Sequence, residues 1–116
     1  MRAYEKDPEL RAEFVRLQRG FLDSAASGVD EVFKIIEDAG DATPAGEPGK
    51  RLRTIAHGLR GAGGSYGFDA VTSTAGELEE AYLAGKPAPQ LRDAAIVLAA
   101  AVTAARNAVA GRTHTD

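Results

Sequence analysis

The sequence has no cysteine, no tryptophan and a single methionine. Without cysteine there is no disulfide and no thiolate metal site, and a cytoplasmic location is the expectation. Aromatic residues make up only 6% while alanine is abundant, which favours closely packed helices over a sheet. An excess of basic residues is also missing. Fourteen Lys and Arg face seventeen Asp and Glu, for a net charge of −3, so nucleic acid is not an expected partner. Long apolar runs are absent too. The longest, Ala94–Val102, has nine residues, against the ~20 that a bilayer requires. No cationic segment followed by an apolar run opens the chain, so neither a signal peptide nor a membrane is expected. A length of 116 residues suits one domain over 1–116, and no internal repeat or linker divides it.

What is present is helical periodicity. Asp7-Pro8-Glu9 is a helix start: an N-cap, a proline in the first position and early acidic charge. Leu10, Phe14, Leu17, Phe21, Ala25, Val29, Val32 and Ile36 then repeat at helical spacing up to Gly40. Gly28 leaves open one bent helix or two collinear ones, and the unbroken phase favours continuity. Residues 40–49 are rich in Gly and Pro and read as a loop. A second helix spans about Pro48 to Tyr66. A third opens at Phe68, carries Val71, Ala75, Leu78 and Tyr82 as a seam, and ends near Gly85. Pro89 lies near the start of a fourth, with Leu91, Ala94, Ala95, Leu98, Ala101, Val102, Ala105 and Val109 on its apolar side. Gly111 should end it and residues 112–116 should fray. These stripes are expected to be core. Four amphipathic helices with short connections give an all-α, antiparallel up-down four-helix bundle with a long N-terminal helix, expected as a monomer.

One stretch breaks helix rules. Ala56–Gly67 holds five of the thirteen glycines, and also His57, the one histidine outside the C-terminal tail. Each glycine in a helix interior costs about 0.5–1 kcal/mol relative to alanine. On a helical projection Leu52, Ile55, Ala56, Leu59, Ala62, Gly63 and Tyr66 face a core. Lys50, Arg53, His57, Arg60, Gly61 and Gly64 face outward. The outward face is therefore one imidazole, three cations and two missing side chains. A neutral imidazole nitrogen is a competent nucleophile at neutral pH. Phosphoryl transfer asks mainly for positioning and positive charge, which Arg60 offers through its planar fork. Gly61 and Gly64 would give a partner's active site access to the ring. The plainer alternative is a solvent-exposed histidine on a basic helix face.

The residues Ala56-His57-x-Leu59-Arg60-Gly61-Ala62, then Gly67, Val71, Ala75, Leu78 and Glu79, resemble the histidine-containing phosphotransfer (HPt) domain family. The family's usual core reads Ala-His-x-Leu-Lys-Gly, then small residues, then a Leu-Glu pair on the next helix. The motif spans about residues 52–83. Arg60 departs from the usual lysine: the charge is kept but the guanidinium is longer and planar. Gly63–Phe68 is also similar to the N-terminal phosphotransfer domain of chemotaxis-type histidine kinases. The resemblance implies a phosphocarrier and not an enzyme, phosphorylated on His57 Nε2, with Arg60 supporting the phosphoryl group. Its partners would be response-regulator receiver domains and a histidine kinase in a two-component phosphorelay. It implies no cofactor of its own, Mg²⁺ being supplied by the receiver. In the chemotaxis-kinase relatives a glutamate at the position of Glu79 hydrogen-bonds the histidine. Here Glu79 would stand within roughly 3 Å of the height of His57 on an antiparallel neighbour, at ~1.5 Å per residue, able to accept from Nδ1. The alternative for Glu79 is one of three surface acids, with Glu77 and Glu80.

Other chemistries find no support. G-x-x-x-x-G-K-[ST] has no match, and G-x-G-x-x-G fails at Tyr66. His114 is the only other histidine, so converging metal ligands are missing, and no nucleophile sits on a strained turn. The remaining competitor to a phosphocarrier is a docking module that binds and regulates a receiver or kinase without carrying phosphate.

Overall fold

A computed structural model describes residues 7–114, and side chains as far as Gly111. Its elements are four α-helices and one short 3₁₀ turn: α1 (Pro8–Asp38), α2 (Gly46–Gly63), the turn Gly64–Tyr66, α3 (Asp69–Leu83) and α4 (Ala88–His114). No strand occurs among the described residues. Asp7 caps α1, its Oδ1 accepting from the amides of Glu9 at 2.9 Å and Leu10 at 3.4 Å. The helix runs unbroken through Gly28. A Cβ there would lie 3.0 Å from Ile55 Cγ2, so the glycine serves the approach of α2 and not a break. Helix α2 begins at Gly46, two residues ahead of Pro48. A proline is tolerated there because a first-turn N–H has no intrahelical partner to lose.

The α2–α3 connection has a specific cause. Gly67 takes φ +87°, the left-handed region. The Phe68 amide bonds Gly63 O at 2.8 Å while the Gly67 amide bonds Gly64 O at 3.1 Å. This is the Schellman pattern, which satisfies otherwise orphaned carbonyls and reverses the chain. At the opposite end the Ala88 amide donates to Ala42 O at 3.1 Å. The Thr43 hydroxyl contacts Gly85 O at 2.9 Å and Lys86 O at 2.8 Å, tying the two lower connections together.

Helix α1 packs beside α2 and α4, and α3 packs beside the same two, so the diagonal pairs are α1/α3 and α2/α4. This is the antiparallel up-down four-helix bundle. Leu22, Val32, Ile36, Leu52, Val71, Leu78, Leu91 and Leu98 fill the interior, with Ala25, Ala56, Ala75 and Ala95 fully buried where the helices come close.

Two expectations need correction. Leu10 and Leu17 are about half exposed and not core. Helix α1 outruns the α2–α3 connection, where Gln18 Nε2 donates to Tyr66 O at 2.8 Å. The seam of α1 runs through buried Gln18, Leu22, Ala25, Val29, Val32 and Ile36. Helix α4 does not stop at Gly111 but continues to His114. The expected fraying of Thr115 and Asp116 lies outside the described residues. Helix α4 also carries, within Ala88–Gly111, an 18-residue window of mean hydropathy 1.6, long and apolar enough by length and composition alone to cross a membrane. The nine-residue run hides this because Arg106 is the only charge from Ala94 to Gly111. Its Leu91, Ala95, Leu98, Val102 and Val109 are buried in the bundle core.

Candidate functional site

Helix α2 presents Arg53, His57 and Arg60 along one side, at offsets of four and three residues that bring them onto one face. The His57 side chain is 72% exposed. Its Nδ1 lies 2.9 Å from Oε2 of Glu79, which projects from α3. The side chain of Glu79 is only 4% exposed, while Glu77 and Glu80 beside it are exposed. Glu79 is thus set apart from the other two acids by burial. A buried carboxylate needs partners, and three side chains of α2 provide them. Arg60 Nη1 donates to Oε1 at 3.2 Å, His57 meets Oε2, and Arg53 Nε stands 3.8 Å from that same oxygen. Since a carboxylate only accepts, the Nδ1–H tautomer satisfies the pair and leaves the Nε2 lone pair on the exposed side of the ring.

The expected residues therefore divide. His57, Arg60 and Glu79 meet in one network. Gly61 is open ground: a Cβ there would have no atom within 4 Å. Gly64 is also exposed, but it opens the 3₁₀ turn, and its Cβ would touch Thr72 Oγ1 of α3 at 3.7 Å. Gly63, between them, is required for packing, because its Cβ would come within 2.6 Å of Thr72 Oγ1 and 3.0 Å of Thr72 N.

Three residues were not singled out from the sequence. Gly58, next to His57, is as open as Gly61 and lines a groove between α1 and α2 with Phe21, Ser24 and Gly28. Gly76 of α3 gives Arg60 a bed, its Cβ position lying 3.4 Å from Arg60 Cδ and Nε. Arg53 counted only as one of three cations, although its offset of four residues from His57 was the available signal. Across the groove, Arg51 bridges to Glu31 of α1 with Nε–Oε2 at 2.5 Å and Nη2–Oε1 at 3.1 Å. That hydrogen bond, aided by the charge, holds the Glu31 carboxyl below its ordinary range and raises the Arg51 guanidinium. No group of three or more His, Cys, Asp or Glu comes together among the described residues.

A family model described as "Hpt domain" matches residues 21–108. That range takes in α2, α3 and most of α1 and α4, and so every residue of the network. No curated protein and no solved structure matches the chain.

Proposed function

Because the chain belongs to the Hpt domain family, whose members are phosphocarriers of two-component signalling that engage receiver domains and kinases, we propose that His57 Nε2 carries the phosphoryl group. It accepts the group from a receiver aspartyl phosphate or from a kinase and hands it to a response regulator. The observation that carries this reading is the Nδ1 contact of exposed His57 with buried Glu79. In the forward step the Nε2 lone pair forms a bond to phosphorus. The bond from phosphorus to the aspartyl oxygen breaks, and its electron pair leaves on the aspartate. The proton on Nδ1 stays in place and donates to Glu79, which offsets the positive charge that develops on the ring. Return to a receiver reverses these bonds. Glu79 holds tautomer and orientation, Arg60 adds positive charge at the site, and Gly61 and Gly64 leave room for the partner. The receiver supplies Mg²⁺ together with its acidic ligands, the Glu79 carboxylate being already engaged by His57 and Arg60. A cytoplasmic location fits the cysteine-free composition.

The test is to incubate the protein with phosphorylated receiver domains from the same cell and follow the label. The label should appear on the protein as an acid-labile, base-stable phosphoramidate, and His57→Gln should fold and take none. Full labelling of His57→Gln would sink the assignment.

A further inference from the structure

The cations of α2 are not equivalent. Lys50 lies 3.6 Å from Glu47, and Arg51 is joined to Glu31. Arg60 donates to Glu79 Oε1 at 3.2 Å, approaches Glu80 Oε1 at 3.9 Å, and rests along the space left by Gly76. It is a held side chain. Arg53 has one polar contact, Nε to Glu79 Oε2 at 3.8 Å, beyond hydrogen-bond length, and that oxygen is already occupied by His57 at 2.9 Å. Its side chain is 56% exposed. It stands one helical turn before His57 on the same face.

Two arginines thus share one buried carboxylate, and Arg60 alone makes a hydrogen bond to it. From this imbalance we infer that Arg53 is the side chain that turns from Glu79 to bind the phosphoryl oxygens on His57 Nε2, while Arg60 acts as a positioning residue that anchors Glu79. The inference rests on the phosphocarrier reading and assigns the two charges within it. A dianionic phosphoryl group attracts a guanidinium more strongly than a carboxylate oxygen 3.8 Å away that another donor already fills. Arg60 would have to break its hydrogen bond to Glu79 Oε1 and leave its bed on Gly76 to do the same. Leaving its place would also free Glu79, and with Glu79 the ring orientation.

The experiment uses the full chain and a receiver domain charged with radiolabelled acetyl phosphate. It compares wild type, Arg53→Gln, Arg53→Lys and Arg60→Gln by rapid-quench labelling. Imidazole ¹⁵N shifts of His57 are recorded for each unphosphorylated protein. Arg53→Gln should transfer at least tenfold more slowly with the His57 shifts of wild type, and Arg53→Lys should recover most of the rate. Arg60→Gln should move the His57 shifts, because its effect passes through Glu79. A wild-type rate within twofold for Arg53→Gln overturns the role of Arg53, as does a slow Arg53→Gln whose His57 shifts have moved. Absence of label on wild type defeats the phosphocarrier reading itself, and the inference falls with it.

Discussion

His57 and Glu79 meet across α2 and α3 with Nδ1 and Oε2 2.9 Å apart, the imidazole in solvent and the carboxylate in the interior. Burial restricts the carboxylate to one place, and the hydrogen bond passes that restriction to the ring. An exposed histidine held this way has lost much of its freedom before any partner arrives, and that lowers the barrier to a step governed by geometry.

Removing Glu79 should therefore slow transfer without unfolding the bundle. A hydrogen bond to a charged group is worth about 1.5–3 kcal/mol, and about 1.4 kcal/mol is tenfold in rate. Glu79→Ala should lower phosphoryl transfer at least tenfold and give mixed tautomers in the His57 ¹⁵N shifts. Arg53 and Arg60 are about half exposed, so both can turn to water and the fold survives. Glu79→Gln keeps an oxygen acceptor for Nδ1–H but loses the charge, and its rate should fall between the two. Equal rates for wild type and Glu79→Ala would remove the positioning role.

Much of this arrangement was legible in the sequence, because helical spacing fixes which side chains share a face. The bundle, the His57–Arg60–Gly61 face and the level of Glu79 follow from counting residues along helices, and the phase across Gly28 favoured the unbroken helix without deciding it. Contacts between helices do not follow from counting. The role of Gly76 depends on where Arg60 lies, and the looseness of Arg53 on how two arginines divide one carboxylate. Leu10 and Leu17 misled because periodicity marks an apolar face without saying how far the neighbouring helix extends. Gln18 was passed over because its buried place depends on a carbonyl 48 residues away.

The glycines of α2 should separate cleanly by stability. Alanine at Gly61 meets no atom within 4 Å, so Gly61→Ala should raise stability by about 0.5–1 kcal/mol through helix propensity. Alanine at Gly63 would collide with Thr72 Oγ1 and approach Phe68 O at 3.2 Å. Gly63→Ala should lower stability by about 1–3 kcal/mol, the cost of overpacking. Urea unfolding monitored by circular dichroism measures both. Changes of the same sign would mean the α2–α3 contact is looser than its geometry.

The Glu31–Arg51 bridge predicts a pH dependence with a definite sign. The folded-state pKa of Glu31 is lowered from its ordinary value near 4.5. Its contribution is complete above that value and disappears as pH falls through the lower, folded-state value. Both groups are solvent-exposed, so the effect is small and screened by salt. The difference in melting temperature between wild type and Glu31→Gln should hold from pH 7 to about 5, then shrink with further acidification. A difference that grows on acidification would contradict the bridge.

Access to His57 should be lost from specific sides when its bare neighbours are filled. Gly61 lies one turn from His57 on the same face and Gly58 next to it toward the α1–α2 groove, and a Cβ at either has no atom within 4 Å. A leucine at either position therefore starts from open space and extends over the ground a partner would use. Gly61→Leu should keep the native circular dichroism spectrum and lose transfer from a phosphorylated receiver by at least tenfold. Gly58→Leu probes the side of the α1–α2 groove, and a comparable loss would mean the receiver covers that side too. Phosphoramidate, a small donor that needs no docking, separates access from chemistry, and should label His57 in wild type and both variants alike. If Gly61→Leu accepted phosphate from the receiver at the wild-type rate, the glycine would not be clearing a path. If it failed with phosphoramidate as well, the leucine would be acting on the ring and not on the partner.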